Sequence, residues 1–274
     1  MERNRRKVKG VYMKIKLLQM TETPIDIMWT AARTCYSEKS PIEMWEDRYG
    51  RVPDGWEYSC ECVKQCTEKH WNLVSKVLDS GHESIAEFVN FTFAIEGVSR
   101  VLLAQITRHR AGVVFCVTSQ RYVEFKESYE TLTEAFDGNV AEQEDYLKSI
   151  AEKYFTHVTT DNYRDYVQAL INYLGAVKRG VKPEDARNIL PNATKTNITM
   201  GINLRELMHV CNLRLCTRAQ TEIRQLFNLI KKEVETKDER LASLLMPKCE
   251  KLGYCDEHNS CGRKPLKNEL FKET

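Results

Sequence analysis

The chain has 274 residues, 42% hydrophobic and 29% charged, with a formal net charge of +2. A balance this close to neutral argues against general nucleic-acid binding, which brings a strong basic excess or a basic face. No apolar run is long enough to span a bilayer, and the basic start Met1 to Lys9 is followed by patches broken by Lys14, Lys16 and Gln19, unlike a signal peptide. Without a secretion signal, the ten cysteines read as reduced thiols or metal ligands, and a cytoplasmic protein is expected.

Lys14 to Leu18 alternates enough to predict a first strand, and Pro24 opens a helix through Ile25, Met28, Trp29 and Ala32. Residues 38–60 mix polar and aromatic residues with Pro41, Pro53 and two glycines; they read as a long loop or insertion, a lid if it lies beside a site. A helix is predicted from Thr67 to Leu78, ended by Ser80-Gly81. Phe88 to Ile95 reads as a strand with Phe91, Phe93 and Ile95 on one face. Ser99 is placed to cap a helix from Arg100 to about Arg108, and Val113 to Val117 is a strand or extended crossing.

Residues 136–160 are acidic and read as helical. Tyr163 to Val177 is an amphipathic helix, followed by a short helix from Pro183 to Leu190 stopped by Pro191. Lys195 to Asn203 alternates as a strand. Leu204 to Leu213 and Ala219 to Val234 are helices, with Leu207, Val210 and Leu213, then Ile223, Leu226, Phe227 and Ile230, facing inward. The expected organisation is one α+β domain over residues 1–248 and a polar, cysteine-containing tail over 249–274.

Candidate chemistry concentrates in Arg108-His109-Arg110 and Ser119-Gln120-Arg121-Tyr122, just after the apolar run Val101 to Ala104. Guanidinium groups make forked contacts with phosphate or carboxylate, and several beside a buried segment are costly unless an anion offsets them. The segment therefore reads as the floor of a site for a polyanion such as a nucleotide or dinucleotide. Arg108 and Arg110 point the same way if the backbone is extended, with His109 opposite, and diverge if they end a helix. Gln105, one turn earlier, offers an amide suited to a base edge. Arg187, Arg205, Arg214 and Arg218 form a second group; the plain alternative pairs each arginine with a carboxylate such as Glu206 or Glu222. His82, in a polar turn between a helix and a strand, is either a functional group on a rigid scaffold or a capping or packing histidine.

In order along the chain, these blocks resemble the flavin-dependent thymidylate synthases. The resemblance is carried by Ala32-Arg33-Thr34-Cys35-Tyr36, Gly81-His82-Glu83-Ser84, Phe91-Thr92-Phe93, Gly97-Val98-Ser99-Arg100, Gln105, and the Arg108-His109-Arg110 triplet with Ser119 after a short spacer. It continues in Arg187-Asn188-Ile189-Leu190-Pro191, Asn203-Leu204-Arg205-Glu206-Leu207, Asn212-Leu213-Arg214 and Ala219-Gln220. It implies an antiparallel sheet flanked by helices and a homotetramer with active sites at subunit contacts. The implied reaction is methylation of dUMP to dTMP, with 5,10-methylenetetrahydrofolate as carbon donor, hydride from FAD, and NADPH as reductant.

By the same resemblance, Ser84, Arg108, His109, Arg110, Asn203, Arg205 and His209 bind FAD. Gln105, Arg108, Ser119, Gln120, Arg121, Arg187 and Arg214 hold dUMP, and His82 lies near flavin and folate. Arg214 is the implied catalytic residue: a positive charge beside the uracil in a low-dielectric pocket favours the ionised base and raises electron density at C5. Ser119 then reads as a hydrogen-bond donor to phosphate, because no partnered base is evident to activate it. Cys116, among apolar residues, reads as a poor thiolate.

The chain departs from the family at Val114 and Cys116, where small polar residues are usual, and at Val117, a position often acidic. Phe88 and Arg218 stand where histidine occurs. These changes leave open another pyrimidine nucleotide or a divergent folate site. The cysteines group as Cys60, Cys62 and Cys66 near His70, and as Cys249, Cys255 and Cys261 near His258. Neither group has paired Cys-x-x-Cys spacing, so reduced thiols and no metal are expected, with a four-ligand zinc site in the tail as the alternative. A zinc-stabilised nucleic-acid-binding protein is the competing class, against which the near-neutral charge counts.

Overall fold

Alternating side chains build a four-stranded antiparallel sheet from β1 (Lys14–Met20), β2 (Asn90–Ser99), β3 (Val113–Val117) and β4 (Lys195–Asn203), in the order β1-β2-β4-β3. The computed structural model describes residues 13–49, 61–138 and 141–270, without the side chains of 61–66. Phe91 stands opposite Ile202, Phe93 opposite Met200 and Ile95 opposite Ile198, and all six are buried. A one-residue slip would turn this whole set to the other face, and each side chain of this size contributes roughly 1.5–3 kcal/mol on burial, so the register is strongly specified. Between Ile95 and Val98 the register shifts, with Gly97 at φ 73°, a bulge conformation that a side chain disfavours.

Helices α1 (Pro24–Thr34), α2 (Pro41–Tyr49), α3 (Glu61–Asp79) and α4 (Arg100–Ile106) precede β3. Next come α5 (Tyr129–Asp137), α6 (Ala141–Tyr154), α7 (Tyr163–Lys178) and α8 (Pro183–Ala186). After β4 the chain forms α9 (Leu204–Arg214), α10 (Thr221–Glu235), α11 (Glu239–Ser243), α12 (Lys248–Leu252) and α13 (Lys267–Leu270). Proline begins α1, Ser99 caps α4 and Asn203 caps α9, each a residue whose chemistry suits a helix start.

The buried apolar residues fall into two clusters. One joins the sheet face to Met28 of α1, Leu207 and Val210 of α9, and Leu226, Phe227 and Ile230 of α10. The other is built mainly from helices and holds Leu132 of α5, Leu147 of α6, and Val167, Leu170 and Tyr173 of α7. The seam between them is polar. Phe155 pairs with Thr194, and the fully buried Glu222 accepts from Ser99 N at 2.7 Å and Ser99 Oγ at 2.5 Å, with His157 Nε2 at 3.5 Å. Among the described residues no helix is long and apolar enough to cross a membrane.

Several expectations need correction. Part of the 38–60 segment, Pro41–Tyr49, is helix; residues 50–60 lie outside the described residues. Phe88 ends a 3-10 turn, Glu83–Phe88, so the strand starts two residues later. The 136–160 segment is not one helix: α5 ends at Asp137 and α6 at Tyr154. Leu213 is exposed, because α9 turns that last-turn position outward. The basic N-terminal segment and the side chains of Cys60, Cys62 and Cys66 lie outside the described residues.

Candidate active site

The end of α4 and the length of α9 position the central group. Ser99 Oγ accepts from Leu102 N at 3.0 Å to start α4, which stops at Ile106. Beyond it Thr107 and Arg108 form a turn, closed by His109 N donating to Ile106 O at 3.1 Å; Arg108 and Arg110 are left exposed and His109 is buried. The His109 ring points at α9. Its Nε2 accepts from Arg214 Nε at 3.2 Å, its Nδ1 stands 3.4 Å from Glu206 Oε1, and His209 lies edge-on with ring centroids 6.2 Å apart. Asn203 Oδ1 accepts from Glu206 N at 2.9 Å, fixing the start of the helix that carries all three partners. Gly112 allows this approach: its φ is 66°, and a Cβ there would stand 2.3 Å from Asn203 Nδ2.

Electrostatics set the protonation state. Burial, then the nearby charges of Arg214, His209 and Arg108, push the His109 pKa down to about 4. The ring is therefore neutral near pH 7. Since Nε2 accepts from Arg214, the proton is assigned to Nδ1, facing Glu206. Burial raises the Glu206 carboxyl. Burial and then Arg108 lower the Arg214 pKa, the mark of two like charges held together.

The other arginines sort by partner. Arg121 pairs with Glu184 at 2.8 Å, Arg218 with Glu257 at 3.1 Å, and Arg205 with Glu87. Among the described residues Arg108, Arg110 and Arg214 form no ion pair. Within the group of Arg187, Arg205, Arg214 and Arg218 the plain alternative thus holds for Arg205 and Arg218, but not through Glu206 or Glu222, which serve His109 and Ser99. Neighbouring cations with no carboxylate between them call for an anionic ligand.

A second cationic cavity lies near Ser119. Gln120 is buried and, with Arg100, Arg187 and Asn188, lines a cavity of about 350 Å³. Arg187 Nε donates to Glu184 O at 2.9 Å. Arg100 Nη1 is buried with no hydrogen-bond partner, and its pKa is lowered by burial and then by Arg187. Arg100 is not among the site residues that the sequence suggests; its signal is a guanidinium at the first position of a helix that starts in the core. Ser119 Oγ accepts from Arg121 N at 3.3 Å, and Gln105 Nε2 donates to Gln220 Oε1 at 3.1 Å.

Two further cavities adjoin. Asn203, Arg205 and His209 share one of about 520 Å³ with Gly112 and Glu87. His82 and Ser84 line a largely apolar groove of about 900 Å³ with Tyr36, Trp45 and Phe88, and Glu87 lies on its wall too. An apolar groove continuing into a polar cavity suits a flat aromatic group with a charged tail. Cys116 is exposed on β3, which corrects the expectation that apolar neighbours shield it; Val114 is 70% exposed on the same edge strand.

A family model described as Thymidylate synthase complementing protein matches residues 16–238. A flavin-dependent thymidylate synthase from Nitratidesulfovibrio vulgaris is 34% identical over 259 residues, covering 94% of this chain and 97% of the relative. The chain belongs to the flavin-dependent thymidylate synthase family. The Haloarcula marismortui flavin-dependent thymidylate synthase is 37% identical over 226 residues, covering 78% of this chain and 87% of its own. The fold matches a crystal structure of thymidylate synthase X from Helicobacter pylori with FAD and dUMP at a TM-score of 0.60 and 22% identity, over 85% of this chain and 97% of that one. Flavin-dependent thymidylate synthases are methyl-transferring enzymes, and membership displaces the nucleic-acid-binding alternative. Arg108, His109, Arg110 and Arg214 all fall inside the family match.

Proposed function

We propose that this enzyme works in the cytoplasm and methylates dUMP to dTMP, with carbon from 5,10-methylenetetrahydrofolate and hydride from bound FAD that NADPH reduces. The observation that carries this reading is Arg214: a half-buried cation, held by a neutral histidine and paired with no carboxylate among the described residues. Such a cation beside uracil favours loss of the N3 proton, and the resulting anion is richer in electrons at C5, the carbon that bonds to the one-carbon donor. His109 is a positioning residue. Its neutral Nε2 accepts from Arg214, whereas a protonated ring would repel it, and Glu206 orients the ring from the other side.

Bound FAD supplies the hydride that completes the methyl group. The apolar groove along Trp45, Tyr36 and Phe88, with His82 and Ser84 on its wall, suits the flavin ring. Asn203, Arg205 and His209, with the exposed Arg108 and Arg110, suit its phosphates. Arg100, Gln120 and Arg187 suit the phosphate of dUMP, with Ser119 and Arg121 beside them and Gln105 reading the base. A homotetramer would cover the apolar edge that β3 exposes at Val114.

The exposed Val114 and Cys116 support a second reading, in which another pyrimidine nucleotide is the substrate. One assay separates the two. The FAD-bound protein is supplied with NADPH, methylenetetrahydrofolate and either dUMP, UMP or dCMP, and the nucleotides are weighed by mass spectrometry. A one-methylene gain on dUMP is expected; gain on another nucleotide alone selects the second reading, and failure to bind FAD contradicts both.

A further inference from the structure

We infer that Cys216, Cys249, Cys255 and Cys261 form a structural zinc site that pins the C-terminal tail to the end of α9. All four are free thiols, and all four line one cavity of about 470 Å³, reached from two separate stretches of chain. Cys216 follows α9, two residues after Arg214; the other three come from the tail. The sequence pattern hid this set, because tail cysteines spaced by five residues do not resemble a paired zinc motif and Cys216 lies far upstream.

The tail needs a staple. From Lys248 to Leu270, Cys255 is the one buried residue. Even so the segment is folded: Cys255 bridges to Leu266, its N donates to Pro265 O at 2.7 Å, and Gly253 and Gly262 adopt φ of 79° and 82°. A segment this short with almost no apolar core is held by a cross-link or a metal, not by burial. Ion pairs add little at such an exposed surface. Arg218 reaches Glu257 Oε2 at 3.1 Å and Asn259 O at 3.4 Å, so the arginine that stands where the family can have histidine is committed to the tail.

The donor chemistry selects the ion. Thiolates are soft ligands, and four of them in a tetrahedral set are characteristic of structural zinc. The Thr217 hydroxyl and the Arg263 N–H both bond to the Cys261 sulfur, contacts of the kind that orient a metal ligand from outside. Cys249 lies close to Cys216, Cys255 and Cys261, all on the wall of the same cavity. A divalent cation offsets the charge that several clustered thiolates would carry. Among the described residues no three His, Cys, Asp or Glu side chains are disposed as a metal-binding group, so binding entails rotation of the thiols inward to about 2.3 Å from the ion. Cys249 and Cys261, half-buried and exposed, have room to turn. His258 is exposed beside Asn259 and is left outside the four-sulfur set.

The test is the metal content of the full-length protein, expressed with zinc and dialysed against zinc-free buffer. About one zinc per chain is expected, with X-ray absorption giving an all-sulfur shell. Cys216→Ser and Cys255→Ser should each lose the metal, and His258→Ala should keep it. Removing zinc from the wild type with a thiol-blocking agent and chelator should open the tail to trypsin at Arg263 and Lys267, a readout independent of turnover. Wild-type protein with no zinc, with the four cysteines paired as disulfides, or with zinc retained in a folded Cys216→Ser variant would overturn the assignment.

Discussion

Arg214 ends α9 with its Nε tied to His109 and, among the described residues, no carboxylate paired with it. Removing a group that stabilises developing charge costs about 3–4 kcal/mol, or ~10²–10³ in rate. Arg214→Ala should therefore lose turnover on that scale while keeping the bound-flavin absorbance; near-normal activity would remove its role. His109 carries a pH signature. Its folded pKa of about 4 lies below the ordinary 6.5, so the unfolded chain takes up the proton first as pH falls. Its contribution to stability is complete above pH 6.5 and is lost between 6.5 and about 4. Melting temperature against pH should fall across that window in the wild type and more shallowly in His109→Gln; parallel curves would contradict the assignment. Arg100 has a buried, unpartnered Nη1 beside Arg187. Arg100→Gln should weaken dUMP binding by about tenfold or more, the worth of a charged hydrogen bond, without lowering the melting temperature. Unchanged dUMP affinity would move the phosphate elsewhere.

At the scale of elements, legibility followed local periodicity. Lys195–Asn203 was readable as a strand because its alternation is complete, and α10 because Ile223, Leu226, Phe227 and Ile230 repeat at helical spacing. Helix α2 is hard to read from sequence because Met44 alone is buried, which leaves almost no apolar stripe. A signal was nevertheless present in Ser40-Pro41-Ile42-Glu43. Ser40 N donates to Glu43 Oε2 at 2.7 Å and Glu43 N to Ser40 Oγ at 3.2 Å, a reciprocal capping box. Residue types in the site were readable from the clustered arginines, but their pairing was not: His109 and Arg214 lie 105 positions apart, and only the packing of α9 brings them together. Gly112 belongs to this scale, since it permits the Asn203 cap that starts α9. Gly112→Ala, strained at φ 66° and crowding Asn203, should cost about 1–3 kcal/mol in urea unfolding; a neutral effect would show that the cap tolerates displacement.

Across the whole molecule, two hydrophobic clusters meet at a polar seam, and the candidate site residues gather on elements of the sheet cluster and at the edge where α8 returns to it. This places a rigid sheet and α9 under the chemistry. The edge strand β3 exposes Val114 at 70%, and Tyr122 and Val123 just beyond are exposed at 76% and 56%. An apolar edge of this kind invites pairing with another copy. Val114→Lys should shift the mass seen by light scattering from the proposed tetramer to smaller species, and an unchanged mass would place the contact elsewhere.

The most direct test of Arg214 as the group that activates uracil is an anaerobic single turnover of the reduced, FAD-bound protein with dUMP and methylenetetrahydrofolate, wild type beside Arg214→Ala. Flavin reoxidation with dTMP formation in the wild type, and bound dUMP without product in the variant, is the predicted result. Product formation at a similar rate in both would contradict it.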